Sequence, residues 1–302
     1  MRKWWRTLLG LCLASTLVRA AEPGLRSNTN ELRFVTYNVL ADEDPSGQRV
    51  PKLLEILHNT DADIIVLQEV APWFATVLLK EPWVQSYHRP LKDGRTFIAH
   101  EYLVLSRFPI LDTESAPLPG NQHRAYFAVT VQLPTGPAKV ATCHLESLLN
   151  DGPVRAQQLD IYSQRLAGTG EAFFAGDFNF GDGEQPDTKH LAPDFRDAWR
   201  ELYPKRPGYT WDIEKSRMAR EESFPCETSR RLDRVLFRAA HWTPTRAELL
   251  GTEPVSPKSK RLFPSDHFGL LVVFSRTPAS SISVDQRSSA VSLPSDPPPV
   301  SP

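Results

Sequence analysis

Phe173-Phe174-Ala175-Gly176-Asp177-Phe178-Asn179 reads as an apolar strand ending at a glycine, with Asp177 and Asn179 released just past its end. The same arrangement recurs along the chain. Asn38 follows Phe34-Val35-Thr36-Tyr37, Glu69 follows Ile64-Ile65-Val66-Leu67-Gln68, and His144 follows Val140-Ala141-Thr142-Cys143. Asp233 lies within Arg231-Leu232-Asp233-Arg234-Val235, and Asp266 and His267 open a last strand at Ser265-Asp266-His267-Phe268. Strands of a sheet end along a common edge, so these groups can converge there in one pocket of carboxylates, amides and imidazoles.

Such a pocket is a metal and phosphate site in outline. Hard oxygen ligands such as Glu69 and Asp266 favour Mg²⁺, with Mn²⁺ as the alternative, because these ions keep waters and bind through one or two carboxylates plus substrate phosphate. The chain has no paired thiolates and no His-x-x-x-His spacing, which argues against zinc. Each residue also has a plain structural reading. Asn38 can cap a turn, Glu69 can be a surface acid, His144 a core imidazole, Asp177 with Asn179 an Asx-turn, and Asp266 a turn cap. Their joint occurrence in order at strand ends favours the site.

Further strands are expected at Leu32–Tyr37, Tyr102–Leu105, Tyr126–Val131, Ala138–Cys143, Leu232–Phe237 and Phe268–Phe274, and helices around Val50–Leu57, Trp73–Leu79 and Val154–Leu166. Strands and helices mixed in one pattern predict an α/β domain of layered sheets flanked by helices. Neither a linker nor a repeat divides residues 31–274, which are read as one domain. Gly181–Asp194 and Asp212–Thr228 lack apolar periodicity and read as loops over a rigid scaffold.

Of 302 residues, 40% are hydrophobic and 24% charged, which suits a soluble globular enzyme and excludes a fibre or a wholly disordered chain. Arg2, Lys3 and Arg6 precede the apolar run Leu8–Val18, which ends in Val18-Arg19-Ala20. Residues 1–20 therefore read as a signal peptide cut after Ala20, giving an exported protein, secreted or periplasmic. The alternative, an uncleaved membrane anchor, has a run short of the roughly 20 apolar residues needed to span. Residues 21–30 and the Ser/Pro-rich residues 275–302 read as flexible tails. No stable membrane span is expected, and the protein is expected to be a monomer.

The formal net charge of −1 becomes −5 once Arg2, Lys3, Arg6 and Arg19 are removed with residues 1–20, which carry no acid. Proteins that grip long nucleic acid usually show a basic face. Arg230-Arg231-Arg234 and Lys258-Lys260-Arg261 are the candidates, and each also reads as solvated surface. Past Cys12, Cys143 and Cys226 can form one disulfide in an oxidising compartment, although Cys143 sits in a strand pattern that suits a buried free thiol.

The ordered set Thr36-Tyr37-Asn38-Val39, Gln68-Glu69-Val70, His144-Leu145-Glu146-Ser147, Gly176-Asp177-Phe178-Asn179, Leu232-Asp233-Arg234-Val235 and Ser265-Asp266-His267-Phe268 resembles the endonuclease/exonuclease/phosphatase superfamily over nearly all of Leu32–Phe274. Within it, Tyr209-Thr210-Trp211-Asp212, Leu249-Leu250-Gly251 and Arg261–His267 look like the tyrosyl-DNA phosphodiesterase 2 branch. The resemblance implies a four-layer α/β/β/α sandwich of two mixed sheets flanked by helices. It implies a Mg²⁺-dependent phosphodiester hydrolase in which Glu69 holds the metal with Asn38 beside it and Asp266 in support. Asp177 would orient or deprotonate water, and Asn179 would position water and phosphate. His267, oriented by Asp233, and His144 would bind the phosphate. Trp211 is read either as a surface stacking on a base or tyrosyl ring or as a core aromatic.

One departure stands out. The branch has a basic residue soon after Gly-Asp-x-Asn, where this chain has Phe180-Gly181-Asp182. That departure, the acidic balance and the export signal count against repair of chromosomal DNA, and leave DNA ends, 5′-phosphotyrosyl linkages and small phosphoesters as substrate classes. A lipid phosphodiesterase would want exposed apolar loops near the pocket, with Trp73, Phe74 and Trp83 as candidates. A catalytically inactive binder of phosphorylated ligands would have lost at least one metal or water-handling group, and none of Asn38, Glu69, Asp177, Asn179 or His267 is missing.

Overall fold

The computed structural model describes residues 30–98 and 101–277. The expected signal peptide, nearly all of the N-terminal segment and most of the C-terminal tail lie outside the described residues.

Period-two alternation builds three apolar layers from two sheets. In chain order the strands are β1 (Glu31–Asn38), β2 (Ile64–Gln68), the short pair β3 (Leu91–Lys92) and β4 (Arg95–Thr96), β5 (Leu103–Ser106), β6 (Ile110–Pro117), β7 (Ala125–Leu133), β8 (Gly136–His144), β9 (Glu171–Asp177), β10 (Arg196–Asp197), β11 (Asp233–Arg238), β12 (Trp242–Leu250) and β13 (Gly269–Arg276). One sheet has the order β12-β13-β1-β2-β5 and the other β10-β11-β9-β8-β7-β6. On β1, Leu32 and Phe34 face the other sheet, while Val35 and Tyr37 face outward. On β9, Phe173 and Ala175 face inward and Phe174 outward. Phe34 stacks on Phe173 across the sandwich at 5.6 Å between ring centroids.

Helices α1 (Arg49–Asn59) and α2 (Pro72–Leu78) cover the first sheet, and α3 (Gly152–Leu166) covers the second. The result is the four-layer α/β/β/α arrangement of two mixed sheets. The short helices α4 (Ala198–Leu202) and α5 (Arg217–Glu222) complete the α-helices among the described residues. Helix α5 falls inside Asp212–Thr228, which was expected to be loop. Ser216 starts it by accepting from the Ala219 N–H at 3.2 Å, and a helix of 6 residues is too short to show a periodic face.

β1 runs parallel to β2 and β8 parallel to β9, whereas β13 is antiparallel to β1 and β11 to β9. The ends of β1, β2, β8 and β9 therefore share an edge with the starts of β11 and β13. In register, Asn38 sits opposite Gln68, and Asp177 lies opposite His144 on one side and Asp233 on the other.

The arginine cluster departs from its expected solvated state: Arg231 and Arg234 are each 2% exposed. Asp182 ion-pairs with both, and Asp197 lies 2.7 Å from Arg231. Arg234 Nη2 donates to the Phe180 carbonyl at 2.8 Å, so this network anchors the segment that follows Asn179. Burial opposes the charge on Asp182, but the Arg231 hydrogen bond and the Arg234 charge hold its carboxyl far below the usual range. Asp182→Asn is expected to lower stability, because removing one partner of a buried ion pair exposes the cost of the other's burial. Asp182 is a third exposed and Asp197 remains, so the loss should be about 1–2 kcal/mol after solvent screening. The depressed pKa sets the sign with pH. The contribution is fully present above the unfolded carboxylate pKa and fades as pH falls towards the folded one. Thermal unfolding of both forms across acid pH checks this, with the two curves converging at low pH.

The lysine-containing cluster, by contrast, lies on the surface, with Lys258, Lys260 and Arg261 exposed. Phe74 is fully buried, and Trp73 and Trp83 pack against the layer between the first sheet and its helices. They therefore offer no exposed apolar loop beside the pocket. Cys143 is buried and Cys226 exposed, both free. Among the described residues no helix is long and apolar enough to cross a membrane.

Candidate active site

Gly176 shows why the strand end is built as it is. Its φ is +146°, and a Cβ there would lie 2.1 Å from the Cys143 carbonyl oxygen, so only glycine lets β9 approach β8 this closely. Asp177 then uses its two oxygens differently. Oδ1 accepts from the Asn179 N–H at 2.9 Å, an Asx-turn, while Oδ2 accepts from Asn38 Nδ2 at 3.1 Å and lies 3.5 Å from His144 Nε2 and 3.6 Å from His267 Nε2. Turn residue and site residue are the same carboxylate. Burial opposes its charge, yet the neighbouring His267 and His144 and the Asn38 hydrogen bond hold Asp177 below the usual carboxylate range.

Asn38 Nδ2 also donates to Glu69 Oε1 at 2.9 Å, and Asn38 Oδ1 accepts from the Leu40 N–H at 3.1 Å. It enters the site as a donor that ties Glu69 to Asp177, and its amide oxygen keeps a second lone pair. Glu69 accepts a second bond from the Ala41 N–H at 2.9 Å. Glu69 and Asn179 both have left-handed backbone, with φ of 58° and 56°. Such conformations in non-glycine residues cost about 1 kcal/mol or more and cluster at functional sites.

Two histidines in one pocket carry opposite protonation. Arg124 Nη1 donates to His144 Nδ1 at 2.8 Å, which leaves the proton of the neutral ring on Nε2, facing Asp177. Burial and the Arg124 charge lower the His144 pKa to about 3. His144 is thus a neutral donor at ordinary pH. Burial would also lower His267, but the carboxylates of Asp233, 2.8 Å from Nδ1, and Asp177 outweigh it and raise the pKa well above 6.5. His267 is the cationic imidazole of the two.

Trp211 fits its reading as a core aromatic and also reaches the pocket wall. It is 8% exposed and packs on Ala219 and Leu232, and its ring lies 4.9 Å from that of His267 at the pocket wall. The pocket has a volume of about 190 Å³ and brings together Glu69, His144, Asp177, Asn179, Trp211, Asp266 and His267. Asp233 stands behind His267 and is fully buried. Sequence reasoning missed Arg124, Ser147 and Phe224, which also face this pocket. Arg124 directly precedes β7, whose start lies beside the end of β8 because the pair is antiparallel; a charged residue at that strand boundary was the available signal.

The donor set fits a divalent cation. Burial and the nearby Asp266 charge raise the Glu69 carboxyl above its usual range, as for like charges awaiting a counter-ion. Asp177, Asp233 and His267 also offer ligand atoms within 4.8 Å of one another. His267 Nδ1 and Asp233 Oδ2 already satisfy each other, however, whereas Glu69 and Asp266 accept only from neutral donors and keep carboxylate lone pairs for a cation.

Comparison with known proteins agrees with this geometry. The family model described as "Endonuclease/Exonuclease/phosphatase family" matches residues 35–267. No curated protein matches the chain. Among solved structures, D. rerio TDP2 complexed with single strand DNA product has 25% identity and a TM-score of 0.68, covering 81% of this chain and 99% of that one. A D. rerio TDP2 humanized by 14 mutations has 26% identity and a TM-score of 0.66 over the same shares. The beta toxin of Staphylococcus aureus, at 16% identity and a TM-score of 0.63, covers 80% of this chain and 99% of its own and shares the fold. This chain belongs to the endonuclease/exonuclease/phosphatase family, with a TDP2-like fold and the active-site architecture of a phosphoric-ester hydrolase.

Proposed function

We propose that the protein is an exported, Mg²⁺-dependent phosphodiesterase in which Asp177 directs water at a phosphate held by Asn179, His144 and His267. The observation that carries this reading is the meeting at one Asp177 oxygen of Asn38 Nδ2, His144 Nε2 and His267 Nε2. Phosphodiesters repel anionic nucleophiles, so the site must neutralise the phosphate before water can attack. Glu69 and Asp266 would hold Mg²⁺, or Mn²⁺, which supplies that neutralisation when bound.

The chain's own residues do the rest. Asp177, held ionised, accepts a hydrogen bond from water and aligns it. Asn179, anchored by donating from Nδ2 to the Leu145 carbonyl at 2.9 Å, offers the rest of its amide to water or phosphate. His144 donates without charge, and His267 donates as a cation steadied by Asp233, so charge developing on the phosphate meets fixed donors. Catalysis is then mainly positioning and charge stabilisation. The intact set favours an enzyme over an inactive binder of phosphorylated ligands.

For the substrate, the likeness to the D. rerio TDP2 complexed with DNA product supports nucleic-acid ends or 5′-phosphotyrosyl linkages. The pocket rim supports a second reading, a lipid or small phosphodiester, since Phe224 lines it and is 39% exposed. The test is hydrolysis by residues 21–302 of phosphotyrosyl-DNA, plain DNA, nucleotides and phospholipids, with Mg²⁺, Mn²⁺ or chelator. At least one should turn over, and chelation should abolish it; turnover that persists without metal would refute the mechanism. Export rests on residues 1–20 alone, and a mature N-terminus found at Met1 in a cytoplasmic fraction would overturn it.

A further inference from the structure

Arg49 is the first residue of α1 and is 2% exposed, and every acceptor its guanidinium meets among the described residues is a backbone carbonyl. A cation is also the wrong charge for that place, since a helix N-terminus favours anions. Helix stability therefore does not account for it. Burying a charge against neutral acceptors is costly, so the contacts it makes in return are the ones to weigh.

Those contacts gather two segments of the pocket edge. Nη1 donates to the Val39 carbonyl at 2.8 Å and lies 3.4 Å from the Pro264 carbonyl, and Nη2 donates to the carbonyls of Leu40 at 3.4 Å and Asp42. Residues 39–42 directly follow β1, and Pro264 comes just before Ser265 and Asp266. A planar guanidinium presents its donors as a rigid fork, which lets one side chain hold several carbonyls at once.

Between the clamped carbonyls lies Ala41. Its N–H donates to Glu69 Oε2 at 2.9 Å, and its carbonyl accepts from Trp73 Nε1 at 3.0 Å. Leu40, before it, has left-handed backbone with φ of 61°, a conformation that a leucine keeps only where its surroundings hold it. The Ala41 N–H is thus aimed at Glu69 by the contacts on either side of it. On the other segment, Ser265 Oγ donates to the Asn38 carbonyl at 2.7 Å and lies 3.0 Å from Asp266 Oδ1. Arg49 bonds to neither carboxylate, yet it holds the backbone that seats both.

We propose that Arg49 is a positioning residue for the metal site: by drawing residues 39–42 and Pro264 around one guanidinium, it fixes Glu69 and Asp266 for a divalent cation. This rests on the reading of those two carboxylates as the metal ligands and names what presets them. Arg49→Lys tests it, because lysine keeps the positive charge and withdraws the fork. Mn²⁺ binding is followed by the electron paramagnetic resonance of the free ion, at a temperature where circular dichroism shows each protein folded. Arg49→Lys should weaken it about 10–100-fold, the effect of losing a group that orients a metal ligand. Trp73→Phe keeps a ring beside Arg49 and removes the donor to Ala41, and should weaken binding about two- to tenfold, the worth of one hydrogen bond.

Wild-type Mn²⁺ affinity in folded Arg49→Lys overturns the inference whatever the thermal midpoint does, because a group acting only on stability or only through its charge leaves that affinity alone. If Arg49→Lys does not fold, Trp73→Phe decides, and an unchanged affinity there overturns it. A wild-type protein that binds no Mn²⁺, or Glu69→Gln and Asp266→Asn variants that bind it as tightly as wild type, overturns the metal site and this inference with it.

Discussion

Asp177→Asn is expected to reduce metal-saturated turnover by about 10²–10⁴-fold, the range for losing a positioned acid–base group. The substitution keeps the shape of the side chain, and its carbonyl oxygen can still accept from the Asn179 N–H. What disappears is the negative charge opposite His144 and His267 and the acceptor that aligns water. The loss should therefore fall on kcat with KM little changed, while the thermal midpoint should also fall, because the amide nitrogen that replaces Oδ2 faces the Asn38, His144 and His267 donors. Single-turnover kinetics and a melting curve on the same preparation separate the two. A variant that keeps full activity would remove Asp177 from the mechanism.

His267→Gln should cost about 10²–10³-fold in kcat, as when an oriented donor to developing charge is lost. The pH dependence follows from its raised pKa. The cationic form is fully present below the ordinary histidine value of about 6.5 and is lost only as pH rises through the higher folded value. Activity dependent on it should persist on the alkaline side well beyond an unperturbed histidine. Asp233→Asn removes the largest force raising that pKa, so the alkaline limb of the rate profile should move to lower pH while Gln at 267 removes the limb. Any stability that His267 contributes follows the same sign. A profile whose alkaline limb is identical in wild type and Asp233→Asn would show that the pair does not set the charge.

Much of the architecture was legible because buried strands leave a strong mark. Ile64–Leu67 and Phe173–Ala175 are apolar on both faces, since each sheet packs on its twin and on helices, and their expected positions match β2 and β9. The edge strand β5 was legible because it is buried, but the edge strands β6 and β12 were not. β6, Ile-Leu-Asp-Thr-Glu-Ser-Ala-Pro, has no fully buried residue, and β12 carries Pro244 and a register shift between Pro244 and Arg246. Neither leaves a clean alternation to detect. Helix α5 escaped for a related reason, being short and set by a cap rather than by an apolar face.

For the site, the residues at strand ends could be named from the chain alone, because a polar group directly after an apolar strand must emerge at the sheet edge. Their order and spacing determined the family and the residue types of a phosphate-handling pocket. Tertiary structure decided what each one does: which His144 nitrogen carries the proton, that His267 is the charged imidazole, that Asn38 is a donor, and that Arg231 and Arg234 are buried. These depend on partners 20 to 139 residues away in sequence, and protonation and burial are properties of the assembled environment, which local sequence does not encode.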